Sequence, residues 1–244
     1  MSGTRWSIHR VSGGRYRQVG RLPSGGTADV SLVEELDSQT LWVAKAYRMS
    51  HAPSWKEWEL FERGARVMET LNHPGIPRFK ELIKRDGSDG TPPGLWLIEE
   101  YIAGKNLEQL VGTGPGVGLE QSVKIALGIL SSLAYLHRRQ PPIVHRDVKP
   151  SNAIMRPDGT VALIDFGAVQ NAIRSCTTGG STVVGTYGYM PPEQYMGRAE
   201  PRSDLYGLGA TLLYLLTGRE PHTFEIHDMR IRFEHLFDDS ASIV

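Results

Sequence analysis

The stretch IVHRDVKPSNAIM, residues 143 to 155, places His145, Arg146, Asp147, Lys149 and Asn152 within eight positions. Asp165 lies thirteen residues beyond Asn152, at the end of the apolar run Val161-Ala162-Leu163-Ile164. A carboxylate can orient a hydroxyl and accept its proton, and the oxygens of Asp and Asn are hard ligands for Mg²⁺. These are the parts that transfer of a nucleotide's terminal phosphoryl group requires. An Asp beside apolar strands is disfavoured without a partner, which argues against Asp147 and Asp165 as idle surface charges. Lys45 stands in LWVAKAY, fifteen residues after Val30. A lysine in so apolar a strand invites an anionic partner, the alternative being an edge lysine whose stem snorkels.

HRDVKPSN, then IDFG, then GTYGYMPPE, in this order and spacing, resemble the protein kinase superfamily, and the wording is closest to bacterial eukaryotic-like serine/threonine kinases. The resemblance covers residues 16 to about 222. It implies that Asp147 is the catalytic base, that Lys149 steadies the moving phosphate, and that Asn152 and Asp165 hold Mg²⁺ with Phe166 packed beneath. KPSN suits serine/threonine rather than tyrosine kinases. Lys45 would grip the nucleotide phosphates. Glu99-Glu100-Tyr101-Ile102 matches the hinge, where backbone groups of Glu100 and Ile102 would meet the adenine edge. Val30, Val43 and Ile154 complete the expected nucleotide-binding set. Thr186 resembles the residue at the substrate hydroxyl site, Pro191-Pro192-Glu193 the loop-ending motif, and Asp204 the acid that buttresses the catalytic loop. Arg146 suggests control by a phosphate on the following loop, with Thr177, Thr178, Ser181 and Thr182 as candidates against the reading of a plain polar loop. Cys176 in the same loop is a redox candidate or a spectator thiol.

This sequence also departs from the family pattern. The expected three-glycine loop reads Pro23, Gly25 and Ala28 within LPSGGTADV, where Gly25 and Gly26 still allow close backbone approach to phosphate. Glu99 occupies a position that is more often apolar, its alternative being a solvent-facing edge residue. The helix glutamate that would pair with Lys45 is replaced by Gly64 in FERGARVMET. Glu62 and Glu57 are substitutes only if that helix shifts or kinks, and otherwise are solvated charges.

The elements expected to position these groups fall into an α+β, two-lobed kinase-like arrangement. A small antiparallel β-sheet lobe with one main helix spans 16–102, and a larger, mainly helical lobe spans 103–244, with residues 1–15 an extension and a ligand expected between the lobes. Strand-like runs are Val30 to Val33, Leu41 to Ala46, Gly75 to Ile83 and Leu95 to Ile98, with a helix from Pro53 to Leu71 stopped by Asn72-His73-Pro74-Gly75. A glycine-rich stretch, Gly112 to Gly118, precedes a helix over Leu119 to Arg138, whose apolar face is read as Val123, Leu127, Leu130, Ala134 and His137. Asn152 to Met155 and Thr160 to Ile164 form a hairpin at Pro157-Asp158-Gly159. Asp204 to Thr217 is apolar nearly all round, so it should be buried, and it ends at Gly218. After it the helical lobe is expected to be curtailed. Phe224, Ile226, Ile231, Phe233, Leu236 and Phe237 would form a short substitute or a face for a second copy or another chain.

Lysine plus arginine equals aspartate plus glutamate at 27 each, so no positive field advertises nucleic acid, and a protein substrate is the expected partner. The longest apolar run is too short for a membrane span and residues 1–17 do not resemble a signal peptide. One cysteine excludes an internal disulfide, and the expectation is cytoplasmic. The leading reading is an ATP- and Mg²⁺-dependent protein serine/threonine kinase, of low or conditional activity. The competing one is a pseudokinase serving as an ATP-binding interaction module, and a small-molecule kinase stands third.

Overall fold

The computed structural model describes residues 15–23, 28–48, 55–85, 94–166, 170–171, 185–227 and 230–233. The chain divides into two compact units, Met1–Ala103 and Gly104–Val244. The first contains β1 (Tyr16–Arg21), β2 (Asp29–Glu35), β3 (Leu41–Arg48), α1 (Trp55–Met68), β4 (Phe79–Arg85) and β5 (Gly94–Glu100). The strands form one antiparallel sheet in the order β1-β2-β3-β5-β4. β5 is buried on both faces, as a continuous apolar run such as GLWLI implies. On one side of the sheet Tyr16, Val33, Ala44, Ala46, Trp96 and Ile98 form a cluster with Trp42 and Ile83. Alternation sends Val43, Lys45 and Tyr47 to the other side, where Tyr47 meets Phe61 and Trp58 of α1 at ring-centroid distances of 5.2 and 6.1 Å.

β1 is absent from the sequence reading because its inward positions are Tyr16, Gln18 and Gly20, too mixed to show an apolar period. β4 starts at Phe79 rather than Gly75. The intervening residues continue the helix-stopping turn, with Gly75 N donating to His73 Nδ1 at 3.1 Å and Ile76 N to His73 O at 3.0 Å.

The second unit contains β6 (Lys105–Asn106), α2 (Leu107–Val111), α3 (Leu119–His137), β7 (Ile143–Val144), β8 (Ala153–Met155), β9 (Val161–Leu163), β10 (Gln170–Asn171), α4 (Pro192–Tyr195), α5 (Pro201–Thr217), β11 (Ile226–His227) and β12 (Arg230–Ile231). β8 and β9 form the expected hairpin, with Asp158 Oδ1 accepting from Thr160 N at 2.9 Å across its tip, and β6 pairs with β8. β7 pairs with β10, and β11 with β12. Asn152 itself belongs to a 3-10 turn, Pro150–Asn152, so the strand begins one residue later than expected.

The face assigned to α3 requires correction. Val123, Leu127 and Leu130 are exposed, Leu127 by 60%, and the buried stripe is Ser122, Ile125, Ile129, Ser132, Leu133 and Leu136. Both stripes carry apolar residues at helical spacing, and the two serines on the buried one disguised it. α5 is buried over most of its circumference, Leu205 being exposed, and Gly218 at φ 66° closes it in the left-handed conformation that favours glycine. Beyond α5, Phe224 is buried and Phe233 exposed, while Leu236 and Phe237 lie outside the described residues.

Two close approaches fix the second unit. A Cβ at Gly207 of α5 would lie 2.8 Å from the Val148 carbonyl oxygen, so the helix reaches the 145–149 loop only because it lacks a side chain there. The glycine-rich stretch before α3 meets the end of α5 as closely. Val117 N donates to Leu215 O at 2.6 Å, a Cβ at Gly116 would lie 2.4 Å from that oxygen, and one at Gly218 would lie 2.3 Å from Gly114 O.

Candidate active site

β7 delivers the chain to His145–Lys149, and β8 and β9 carry it away to Asp165. Within this loop Asp147, Lys149, Asn152 and Thr186 form one hydrogen-bonded group. Asp147 Oδ1 accepts from Thr186 Oγ1 at 2.8 Å, and its Oδ2 accepts from Asn152 Nδ2 at 2.8 Å and from Lys149 Nζ at 2.9 Å. Lys149 Nζ also donates to Thr186 Oγ1 at 2.6 Å. Asn152 Nδ2 further donates to the Asp147 carbonyl at 2.9 Å. The amide nitrogen is thereby committed to Asp147, which turns Asn152 Oδ1 the other way. Asp165 stands exposed at the end of β9 with φ 67°, and Ile164 N donates to Asn152 O at 2.8 Å, tying the two expected metal ligands to one hairpin.

The loop conformation is strained and held from several directions. Arg146 has φ 72°, where a non-glycine residue costs on the order of 1–3 kcal/mol. Its N–H donates to Asp204 Oδ1 at 2.8 Å and its carbonyl accepts from Gln194 Nε2 at 2.6 Å, so both sides of the residue are clamped. Asp204 is 1% exposed, and its Oδ2 also accepts from His145 N at 2.9 Å and meets His137 Nε2 at 2.8 Å. His145, fully buried, accepts from Asp147 N through Nδ1 at 3.4 Å and donates from Nε2 to Ile164 O at 3.1 Å, which places the ring proton on Nε2. The Phe166 ring meets that imidazole edge-on at 4.9 Å. Glu193 Oε1 accepts from Ser203 Oγ at 2.9 Å, joining the loop-ending motif to α5.

In the first unit, Lys45 lies on the central strand β3 directly opposite Val30, and it is not an edge lysine. Its Nζ meets Glu99 Oε1 at 2.9 Å, with side chains 11% and 4% exposed. Glu99 is therefore buried rather than solvent-facing. Glu62 is not a partner for Lys45. It pairs with Lys84 of β4 and, at 2.9 Å, with Arg66, and the hydrogen bond from Lys84 is the main cause holding its carboxyl below the usual range. The side chain of Glu57 lies outside the described residues. Val43 and Ile102 are buried, Val30 and Ile154 partly so, and Glu100 N donates to Arg78 O at 2.9 Å. Gly25 and Gly26 fall outside the described residues, as do Cys176, Thr177, Thr178, Ser181 and Thr182.

The family model for the protein kinase domain matches residues 16–241. The chain belongs to the protein kinase domain family. Among similar proteins, serine/threonine-protein kinase D of Synechocystis sp. is 37% identical over 224 residues, covering 86% of this chain and 42% of the relative. Serine/threonine-protein kinase B of the same organism is 38% identical, with 85% and 38% covered. Serine/threonine-protein kinase PrkC of Bacillus subtilis is 32% identical, with 96% and 35% covered. The kinase-domain chain thus spans about two fifths of the length of the first two relatives. The family uses ATP and typically Mg²⁺, and the antiparallel sheet unit followed by a mainly helical unit is its α+β architecture. The donor set at the ends of β8 and β9, an amide oxygen and a carboxylate, suits a hard cation shared with phosphates. Among the described residues no helix is long and apolar enough to cross a membrane.

Proposed function

We propose that this chain is the catalytic domain of an ATP- and Mg²⁺-dependent protein serine/threonine kinase. One observation carries the reading: Asp147 accepts a hydrogen bond from a threonine hydroxyl at 2.8 Å while Lys149 holds its other oxygen at 2.9 Å. That is the geometry in which a substrate hydroxyl would approach the base. Asp147 orients the incoming Ser or Thr hydroxyl and takes its proton, and Lys149 offsets charge on the moving phosphoryl group. Asn152 Oδ1 and the Asp165 carboxylate hold Mg²⁺, which when bound neutralises and aligns the phosphates. Lys45 contacts the phosphates, Gly25 and Gly26 cover them, backbone groups of Glu100 and Ile102 meet the adenine edge, and Val30, Val43 and Ile154 supply its apolar surroundings. Names of similar proteins that specify serine/threonine kinases support the same substrate class. The balanced charge supports a protein rather than a nucleic-acid partner, and the single cysteine fits work in the reducing cytoplasm.

Incubation of the purified chain with radiolabelled ATP, Mg²⁺ and a generic protein, followed by phosphoamino-acid analysis, tests the proposal. Label on serine or threonine is expected. Intact ATP binding with no transfer to itself or to the protein overturns it.

A further inference from the structure

Lysine at the phosphate site needs a carboxylate to hold it, and the expected helix position is occupied by Gly64. Glu62, two residues earlier, is committed to Lys84 and Arg66. The sheet supplies another carboxylate. In the β3–β5 ladder Val43 faces Glu99 and Lys45 faces Leu97, so Lys45 and Glu99 are diagonal neighbours on the side of the sheet that α1 covers. Diagonal neighbours lie about 7–8 Å apart at the backbone, within reach of two long side chains. They meet at 2.9 Å. A buried ammonium without a paired anion is strongly disfavoured, and here both members are nearly sealed from water. An ammonium has three donors, so Lys45 can bond Glu99 and phosphate oxygens at once.

We propose that Glu99 is a positioning residue for Lys45, performing from within the sheet the task that a helix carboxylate performs elsewhere in the family. The role in phosphate contact rests on the kinase reading above, whereas the pairing does not. In kinases that pair the lysine with a helix, displacement of the helix breaks the pair and switches activity off. Here the two residues sit on adjacent hydrogen-bonded strands, so displacement of α1 does not by itself part this pair.

Two measurements on the full chain test this separately. Thermal melting without nucleotide is compared for wild type, Lys45→Met, Glu99→Leu and the double variant. Each single change removes one member of the buried pair and lowers Tm, and the double change, apolar at both positions, restores Tm towards wild type. A double variant that loses the sum of the two single losses overturns the pairing. Steady-state transfer is then compared for wild type, Glu99→Gln and Glu99→Asp. Misplacing a phosphate-contacting group by about 1 Å costs on the order of a hundredfold, so Glu99→Gln is expected to lose about that in kcat/KM, mostly in kcat, with Glu99→Asp recovering part. Folded Glu99→Gln with kcat/KM within about twofold of wild type overturns the positioning role. A wild-type chain without any transfer removes the kinase reading and the positioning role with it, while the melting cycle still decides the pair.

Discussion

At the scale of single residues, the chemistry depends on side chains whose orientation is set by others. Asp147→Asn keeps the hydrogen-bonding shape and removes the proposed base, and transfer rates are expected to fall about 10²–10⁴-fold with ATP affinity retained, read by initial rates and nucleotide binding. Asp204→Ala should cost more than its distance from Asp147 suggests. It strips acceptors from His145 N and Arg146 N, each a buried donor worth about 1–3 kcal/mol when left unsatisfied, and frees a strained loop. Denaturant melts should show the loss in stability and assays a parallel loss in kcat. Asp147, Lys149, Asn152, Asp165 and Asp204 are legible in the sequence because they fall in contiguous strings of fixed spacing. Gln194, which clamps the Arg146 carbonyl, is not, since nothing in GTYGYMPPEQY announces a contact 48 residues back. Glu99 is visible as a departure, but its meaning requires the β3–β5 register, which sets Val43 opposite Glu99 and Lys45 opposite Leu97 across a long stretch of intervening chain.

At the scale of elements, local pattern found the long helices and the central strands of the sheet, and misjudged the face of one helix. The length of α3 follows from its periodicity, while its buried stripe depends on what it packs against, a tertiary fact. α5 illustrates the reverse, because Gly207 looks like a helix weakness and is a contact requirement. Gly207→Ala would gain helix propensity of about 1 kcal/mol, yet it drives a methyl to 2.8 Å from Val148 O. Overpacking of this kind costs about 1–3 kcal/mol, so a lower Tm and a lower kcat are expected together. The turn after α1 has its own signature. Burial lowers the His73 imidazole below its ordinary range, and its Nδ1 accepts from Gly75 N. A histidine depressed in the folded state contributes stability that is complete above about pH 6.5 and lost as pH falls through the lowered value. Tm should therefore drop between about pH 7 and pH 5.5, and the slope should flatten in His73→Asn, which keeps an acceptor and cannot titrate.

At the scale of the whole molecule, any ligand that binds the folded chain alone raises its melting point. Mg²⁺-ATP at about a hundred times its Kd is expected to stabilise the wild type by about 2.7 kcal/mol, seen as a shift in Tm, and Asp165→Asn should lose most of that shift. The α+β class and the order of the sheet-rich and helix-rich portions are legible because composition changes sharply between them. The glycine-rich stretch between residues 112 and 118 is legible only as the lead into α3. It resembles a spacer, yet Gly116 and Gly218 each approach opposing backbone to within what a side chain would occupy. For anyone engineering this chain, the apparent spacer is a poor place to insert a tag or a reporter domain. The tip of the β8–β9 hairpin, where a side chain on Gly159 would meet nothing within 4 Å, is the better one.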